Sequence, residues 1–305
     1  MLPRSVQAQI GELADDHTSG AVEIATRAAN VLLLFAAEAE AEDDYSYRRQ
    51  LAAAGKALIQ AQPSMAPLFN LVNTVFAGVQ GARDLEAARK LVRTTTEAFR
   101  AELERRSEMI AQQTLSLLPE GCTVLTHSRS STVLAALQLA ATRGRLVEVV
   151  CTESRPAYEG RTAAATLAQE GIRTTLITDS AAAHFMARVN LVMVGADSVS
   201  RDGLVNKMGT YAIALAARDR GVPFYALCGT EKFLPTDYPY FSIAAQNPQE
   251  VWPEHPQGVE VLNLYFDVTP LEYVSGVVTE QGVLTAGELQ DIVGQLKIHE
   301  MLVDH

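Results

Sequence analysis

Residues 192–232 decide the fold of this chain, and they read VMVGADSVSRDGLVNKMGTYAIALAARDRGVPFYALCGTEK. A first apolar run ends at Asp197, a turn at Gly203 leads to Asn206 and Lys207, and a helical segment precedes a second apolar run that closes at Lys232. In open α/β sheets, ligands bind beyond the carboxyl ends of the strands. Asp197 and Lys232 both follow such ends, which predicts a site at that edge of a sheet.

Short apolar runs alternate with helical segments on both sides of this stretch. The runs of strand length are Cys122 to Thr126, Val147 to Cys151, Thr174 to Thr178, Leu191 to Gly195 and Phe224 to Cys228. The helical segments include Ser131 to Ala141, Gly160 to Glu170 and Thr210 to Arg220. This alternation predicts a mainly parallel sheet covered by helices. We also predict a further strand over Val261 to Leu264 and a closing helix over Ala286 to Leu302.

Before Pro119 the sequence has helical periodicity in place of short apolar runs. Apolar residues recur on one helix face from Ser19 to Phe35, helical patterns cover 47–61 and 65–76, and a long charged helix runs from about Leu85 to Leu118. We therefore predict an α/β protein with a helical N-terminal domain, residues 1–118, and a sheet domain, residues 119–305.

Bulk properties exclude several classes of function. The formal net charge of -11 argues against binding nucleic acid, which depends on Lys and Arg contacts to phosphate. The longest apolar run near the start, residues 31–37, is far shorter than the ~20 residues that cross a bilayer. No signal peptide precedes it, so we expect a cytoplasmic protein without a membrane partner. Cys122, Cys151 and Cys228 form no CxxC pair, and we expect buried free thiols, with no metal and no cofactor.

Two segments at predicted strand ends are candidates for binding. Residues 126–132, THSRSST, open a helix, where free backbone N–H groups and hydroxyls form a phosphate cradle or simply cap the helix. His127 in this segment is more typical of a packed residue than of a catalyst. Residues 153–161, ESRPAYEGR, bind a polar substrate, with Arg155 as the candidate contact, or form a surface loop tied by ion pairs. Both alternatives stay open for each segment.

Asp197 with Asn206, Lys207 and Lys232 is the third candidate. A carboxylate at the end of an apolar strand can have a raised pKa and act as an acid or base. Neighbouring lysines can hold a phosphate as point charges. The alternative is that Asp197 only caps a turn between two glycines.

Five ordered segments together resemble a known family. They read THSRSSTVLAAL, VVCTESRPAYEGRTAAATLAQEGI, LVMVGADSVSRDGLVNKMGTYAIALAA, VPFYALCGTEKF and FDVTPLEYVSGVVTEQGV. In this order they resemble the translation initiation factor 2B alpha/beta/delta superfamily, which includes ribose-1,5-bisphosphate and methylthioribose-1-phosphate isomerases. The resemblance implies a Rossmann-like second domain, a homodimer or larger assembly, and an aldose-ketose isomerisation that uses a Cys and an Asp.

The resemblance also implies roles for particular residues. Asp197 matches the catalytic Asp, and Ser128 stands where the isomerases have the catalytic Cys. The residues that match substrate-binding positions are Gly20, Ala21, Gln62, Ser130, Ser131, Thr132, Asn206, Lys207 and Lys232.

Three departures from the family pattern bear on activity. The Cys is Ser128, and two arginines of the pattern appear as Ser19 and Gln62. A hydroxyl is a far weaker acid than a thiol with a pKa of ~8.5, and the lost guanidinium groups remove bidentate phosphate contacts. Two hypotheses follow: a sugar-phosphate isomerase of altered specificity, or a non-catalytic regulatory protein, like the initiation-factor subunits, that senses a sugar phosphate or nucleotide sugar.

Overall fold

The structure is a computed structural model that describes residues 1–145, 147–239 and 241–303. Within these ranges the α-helices are α1 Arg4–Ala14, α2 Ala21–Glu38, α3 Asp44–Ala61, α4 Ala66–Val79, α5 Leu85–Thr114, α6 Ser131–Thr142, α7 Glu159–Gln169, α8 Ala182–Phe185, α9 Thr210–Arg220 and α10 Ala286–Gln295. The strands are β1 Cys122–Thr126, β2 Val147–Thr152, β3 Arg173–Ile177, β4 Leu191–Val194, β5 Ser198–Ser200, β6 Gly203–Lys207, β7 Phe224–Leu227, β8 Phe266–Thr269, β9 Gly276–Thr279 and β10 Gly282–Leu284.

Local sequence signals fix the ends of several helices. Asp43 accepts a hydrogen bond from the backbone N–H of Ser46 and forms a capping box at the start of α3. Asp84 caps α5 by accepting a hydrogen bond from the backbone N–H of Ala87. Pro67 lies in the first turn of α4, where its missing N–H is not needed. Gly221 ends α9 with a φ of 66°, a left-handed conformation that glycine adopts without strain.

The main sheet has seven strands in the order β10-β9-β7-β4-β1-β2-β3. All neighbouring pairs are parallel except β9 with β10. β1 lies between β2 and β4, so the chain changes its direction of winding at the β1–β4 boundary. In doubly wound sheets this switch point opens a crevice beyond the strand ends. The predicted α/β fold with a helical start and a mainly parallel sheet is confirmed.

Helices cover both faces of the sheet. On one face, apolar side chains of α5, α6 and α7 pack against residues such as Val124, Val149 and Met193. On the other face, α8, α9 and α10 pack against Leu125, Val192 and neighbouring side chains. Because successive residues of a strand point to opposite faces, strands buried on both sides become continuous apolar runs. For this reason β1 and β4 could be predicted from the sequence.

The first four helices and the start of α5 form a separate apolar cluster. Ala88 and Val92 of α5 belong to this cluster, whereas Ile110 and Ala111 belong to the cluster under the sheet. Leu302 also packs into the helical cluster, and Asn73 of α4 bonds the backbone at Lys297 and His299, at 3.1 and 2.8 Å. The division of the chain at residue 118 stays a prediction, since α5 contributes to both clusters.

One predicted strand was wrong, and the predicted closing helix is shorter than expected. Residues 261–264 form no strand, and Leu264 makes only an isolated bridge with Ala245. Leu262 is 65% exposed, and the strand begins four residues later, at Phe266. The last helix ends at Gln295 rather than Leu302, because the chain turns to follow α4 and forms only a short 3-10 turn at Glu300–Leu302.

A second, antiparallel sheet was not predicted. It has the order β5-β6-β8, and it pairs Asn206 with Asp267 and Lys207 with Phe266. A Cβ on Gly203 would lie 2.5 Å from the carbonyl oxygen of Thr269, so the strands approach this closely only with glycine there. This sheet carries two of the predicted site residues.

Candidate functional site

A cavity of about 310 Å3 lies at the switch point of the main sheet. Its floor includes the residues that follow β1 and β4, and the start of α2, the loop before α4 and residues 242–246 form other walls. Most of the predicted site residues line it, namely Gly20, Ala21, Gln62, Ser128, Ser130, Ser131, Asp197, Asn206, Lys207 and Lys232. Predicted site residues as far apart in sequence as Gly20 and Lys232 therefore meet at one cavity.

Asp197 is fixed by its backbone and left free at its carboxylate. Its N–H donates to the carbonyl of Val205 at 2.9 Å, and its carbonyl accepts from the N–H of Ala66 at 3.1 Å. The carboxylate faces the cavity and makes no hydrogen bond with another described residue. Burial raises the pKa of Asp197; Lys232 and Lys207 oppose this effect, and Glu159 adds to it. An unbonded carboxyl with a raised pKa is suited to exchanging a proton with a ligand.

Lys232 lies in a 3-10 turn, Thr230–Lys232, directly after β7. Its side chain is 3% exposed, and Nζ donates to the carbonyl of Ala196 at 2.6 Å, next to Asp197. Asn70 of α4 donates to the carbonyls of Glu231 and Phe233, at 2.7 and 2.8 Å. These hydrogen bonds fix the turn, and the ammonium group of Lys232 lines the cavity.

Lys207 and Asn206 are the last residues of β6. The Nζ atom of Lys207 lies 2.5 Å from Oε1 of Glu159 and 4.5 Å from the ring centre of Tyr265. Asn206 donates from Nδ2 to Oγ1 of Thr210 at 3.0 Å, at the start of α9. Lys207 is therefore paired with a carboxylate before any ligand binds.

Ser128 has an unusual backbone conformation at the end of β1. Its φ is 64°, in the left-handed region that non-glycine residues seldom adopt. Its backbone N–H donates to Oγ of Ser154 at 2.7 Å, and the N–H of Ser154 donates to Asp179 at 2.7 Å. A strained residue held by a hydrogen-bond chain at a cavity wall is typical of functional sites.

His127, next to Ser128, connects the end of β1 to neighbouring elements. Its Nε2 lies 2.9 Å from the carbonyl of Met208, which can only accept, so Nε2 carries the proton. Nδ1 then accepts from the hydroxyl of Thr152 at 2.6 Å. Burial lowers the pKa of His127, which favours the neutral ring. Both ring nitrogens are occupied, so His127 joins β1 to neighbouring elements.

The start of α6 opens on the cavity. Ser130 caps the helix by accepting from the N–H of Val133 at 3.4 Å, and Ser131 lines the cavity beside it. A Cβ on Gly195 would lie 2.6 Å from Oγ of Ser130, so only glycine lets β4 end against this cap. A helix N-terminus with two serines can bind a phosphate. The capping role of Ser130 is confirmed, and phosphate binding at this helix start stays a prediction.

Two predicted residues do not reach the cavity. Thr132 is buried on the inner side of α6 and is not among the lining residues. Arg155 lies on the surface, where its guanidinium contacts the hydroxyl of Tyr158 and the carbonyl of Val251. Glu153 and Arg161 form an ion pair at 2.8 Å, as the surface-loop interpretation of this segment expects. Only Glu159 of the segment lines the cavity.

Gln62 lines the cavity but points its amide nitrogen away from it. Nε2 donates to the carbonyls of Leu13 and Asp16, both at 2.9 Å. Gln62 thus ties the end of α1 to the loop before α4. Arg27 pairs with Asp16 nearby, which leaves this wall without a cation directed at a ligand.

Arg129, Glu159 and Tyr265 line the cavity although they were not predicted to do so. Arg129 stands inside the THSRSST motif, which was the available signal, and its Nη1 lies 3.6 Å from Glu23. Glu159 stands inside the candidate segment 153–161, in which Arg155 was the predicted contact, and its partner Lys207 is 48 positions away in the sequence. Tyr265 follows a wrongly predicted strand.

No group of three or more His, Cys, Asp or Glu residues in residues 1–145, 147–239 and 241–303 is arranged to hold a metal ion. In the same part of the chain, no helix is long and apolar enough to span a bilayer. The three cysteines are buried and free, as predicted.

Comparisons with known proteins agree with the motifs. The model of the Initiation factor 2 subunit family matches residues 17–286. A ribose 1,5-bisphosphate isomerase of Archaeoglobus fulgidus is 35% identical over 87% of this chain and 85% of its own length. A 5-deoxyribose 1-phosphate isomerase of Moorella thermoacetica is 34% identical over 95% of this chain and 89% of its own length. The crystal structure of a Pyrococcus horikoshii translation initiation factor eIF-2B superposes with a TM-score of 0.82 at 30% identity, over 93% of this chain and 98% of that one.

Proposed function

Because the chain belongs to the initiation factor 2 subunit family, we propose that it is a sugar-phosphate isomerase that interconverts an aldose 1-phosphate and a ketose 1-phosphate. Asp197 and Ser128 carry the proton transfers. Lys232 and the start of α6, at Ser130 and Ser131, hold the phosphate, and Asn206 and Lys207 line the opposite wall.

The state of Asp197 is the observation that carries this proposal. Its carboxyl lines the cavity, makes no hydrogen bond with another described residue, and has a pKa that burial raises. A carboxyl group that is left unbonded and has a raised pKa can exchange a proton with a bound sugar, which is what a general acid or base must do.

The isomerisation oxidises C2 and reduces C1 of the same sugar, so it needs no external oxidant or reductant. Phosphorylated O1 cannot become a free carbonyl, so the ring opens by breakage of the bond between C1 and the ring oxygen, which takes up a proton. Ring opening leaves a cation at C1, and the hydrogen of C2 moves to C1 as a hydride, with its two bonding electrons. The 2-hydroxyl then loses a proton as C2 becomes the carbonyl. Asp197 in its protonated form supplies the first proton, and Ser128 assists the second transfer. The ammonium of Lys232 offsets the negative charge of the bound phosphate.

The direct test is product formation. Ribose 1-phosphate, 5-deoxyribose 1-phosphate and ribose 1,5-bisphosphate are incubated with the protein, and the C2 carbonyl of the ketose is followed by 13C NMR. We expect conversion of at least one sugar. Asp197→Asn should lower turnover by about 10²–10⁴-fold, the usual contribution of a general acid or base. A matched change of the exposed Asp219 to Asn should leave turnover unchanged.

The second candidate function is a regulatory protein that binds a sugar phosphate or nucleotide sugar without converting it. The hydroxyl of Ser128 in place of a thiol favours it, as does the wall at Ser19 and Gln62, which lacks the arginines of the family pattern. Saturable binding by calorimetry with no product from any of the three sugars would establish this function instead.

We also propose that the protein acts as a cytoplasmic homodimer. Buried free cysteines, which suit a reducing compartment, support the location. Large apolar side chains exposed between residues 241 and 262, such as Trp252 at 47% and Leu262 at 65%, support an interface. Light scattering on the purified protein should give about twice the 33.0 kDa chain mass. A monomer would contradict the dimer without affecting the proposed reaction.

A further inference from the structure

The cations around the cavity differ in how they are paired. Lys207 is in contact with Glu159 at 2.5 Å, and Arg129 lies 3.6 Å from Glu23. Lys232 donates to a backbone carbonyl and forms no ion pair with a described residue. A phosphate dianion therefore finds one strong cationic position, at Lys232, whereas the charge of Lys207 is already neutralised.

Glu159 is an unusual residue for the wall of a site that binds phosphates. Its side chain is 8% exposed, it lines the cavity, and one carboxylate oxygen binds Lys207. The other oxygen, Oε2, is buried and has no hydrogen-bond partner among the described residues. Because Oε2 is shielded from solvent, Glu159 acts on a ligand through its charge and through its ion pair with Lys207.

Lys207 is also restrained against leaving this pair. The Nζ atom lies over the rings of Tyr265 and Phe266, at 4.5 and 5.4 Å from their centres. The carboxylate and the two ring faces attract the same ammonium, so a ligand must compete with all three to recruit it. The Lys207 side of the cavity thus presents a neutral ion pair and an aromatic wall.

We propose, on the basis of the proposed function, that Glu159 is a specificity-determining residue. Its ion pair keeps Lys207 from binding a phosphate, and this restricts the cavity to sugars that carry a single phosphate. The phosphate binds at Lys232 and the start of α6. A second phosphate on the sugar would meet the carboxylate of Glu159, and repulsion between like charges excludes it.

Ribose 1-phosphate and ribose 1,5-bisphosphate test this inference, since they differ by one phosphate. Affinities are measured by calorimetry in the Asp197→Asn background, which prevents turnover. We expect this parent to bind the monophosphate at least about tenfold more tightly. Glu159→Gln frees Lys207 and should shift the ratio of the two affinities toward the bisphosphate by about tenfold or more. Glu159→Asp keeps the charge and should keep the preference for the monophosphate.

Glu148→Gln is the matched control. Glu148 also pairs with a cation, Arg173 at 2.6 Å, but on the exposed surface outside the cavity. The Glu148→Gln variant should have the same ratio of affinities for ribose 1-phosphate and ribose 1,5-bisphosphate as the parent. A parent that prefers the bisphosphate would overturn the inference even if Glu159→Gln failed to fold, and so would a folded Glu159→Gln variant with an unchanged ratio. In both cases turnover by the wild-type protein leaves the proposed function standing, whereas absence of product from every sugar removes the proposed function itself.

Discussion

Ser154 holds Ser128 in its strained conformation: Oγ of Ser154 accepts the backbone N–H of Ser128 at 2.7 Å, and the two residues have φ angles of 63° and 64°. Ser154 is fully buried, so no water replaces this contact. Ser154→Ala should lower the free energy of unfolding by about 1–3 kcal/mol, because a buried N–H loses its acceptor. It should also lower turnover through misplacement of Ser128. Urea denaturation and initial rates measure the two effects. Ser116→Ala, which removes an exposed hydroxyl, is the control and should change neither.

Replacing Ser128 by Cys tests the role of the hydroxyl. A thiol has a pKa of ~8.5 and exchanges its proton at neutral pH far more readily than a serine hydroxyl does. Ser128→Cys should therefore raise kcat by about tenfold or more if proton transfer at this position limits the reaction. Ser128→Ala should lower kcat, with sugar binding retained. Equal rates for all three proteins would remove Ser128 from the chemistry.

The ionisation of Asp197 should make the protein less stable as the pH rises. Its pKa is raised above the ordinary carboxyl value of 3.8, so the folded chain keeps a proton that the unfolded chain has already released. Unfolding free energy is thus lost as the pH rises from about 4 through the folded-state pKa. Asp197→Asn lacks this titration and should be more stable than the wild type at pH 7, by ~1 kcal/mol, with the difference vanishing near pH 4. Denaturation curves at several pH values measure it. A constant difference across pH would contradict the assignment, and Asp219→Asn should show none.

Gly195 is required by the close approach of β4 to the cap of α6. Gly195→Ala would place a methyl group 2.6 Å from Oγ and 2.7 Å from Cβ of Ser130. We expect a loss of about 1–3 kcal/mol, as for other overpacked positions, together with weaker sugar-phosphate binding. Thermal unfolding and calorimetry test the two effects. Gly287→Ala, in α10 with no atom within 4 Å of the added methyl, should instead leave stability unchanged or raise it by up to about 1 kcal/mol.

The main sheet could be predicted because its strands are buried on both faces. β1 reads CTVLT and β4 reads LVMV, so both are largely apolar and buried, and a predicted site residue follows the end of each. β6 could not be found in the same way. It is buried along its length but ends in Asn206 and Lys207, and these polar residues look like part of a turn until β8 is seen to pair with them. Conversely, Val261 to Leu264 has the composition of a strand, but no neighbouring strand takes up its hydrogen bonds.

Much of the candidate site could be predicted for a related reason. Parallel strands end at the same edge, so Ser128, Asp197 and Lys232 were expected to meet. Residues whose placement depends on long-range pairing could not be predicted. Glu159 reaches the cavity only because α7 begins beside β6, and Arg155, four positions earlier, lies on the surface. Sequence spacing says which residues follow a strand, but not which way a loop turns its side chains.

Leu302 packs among the N-terminal helices, and this placement affects the order in which the chain can mature during synthesis. Roughly 190 residues separate the end of α5 from Leu302, and at about 5–20 residues per second their translation takes roughly 10–40 s. Throughout that interval α1 to α5 lack an apolar side chain of their cluster and the backbone partners of Asn73. The nascent helices therefore expose a surface that chaperones can bind, and they are completed only after the sheet has left the ribosome.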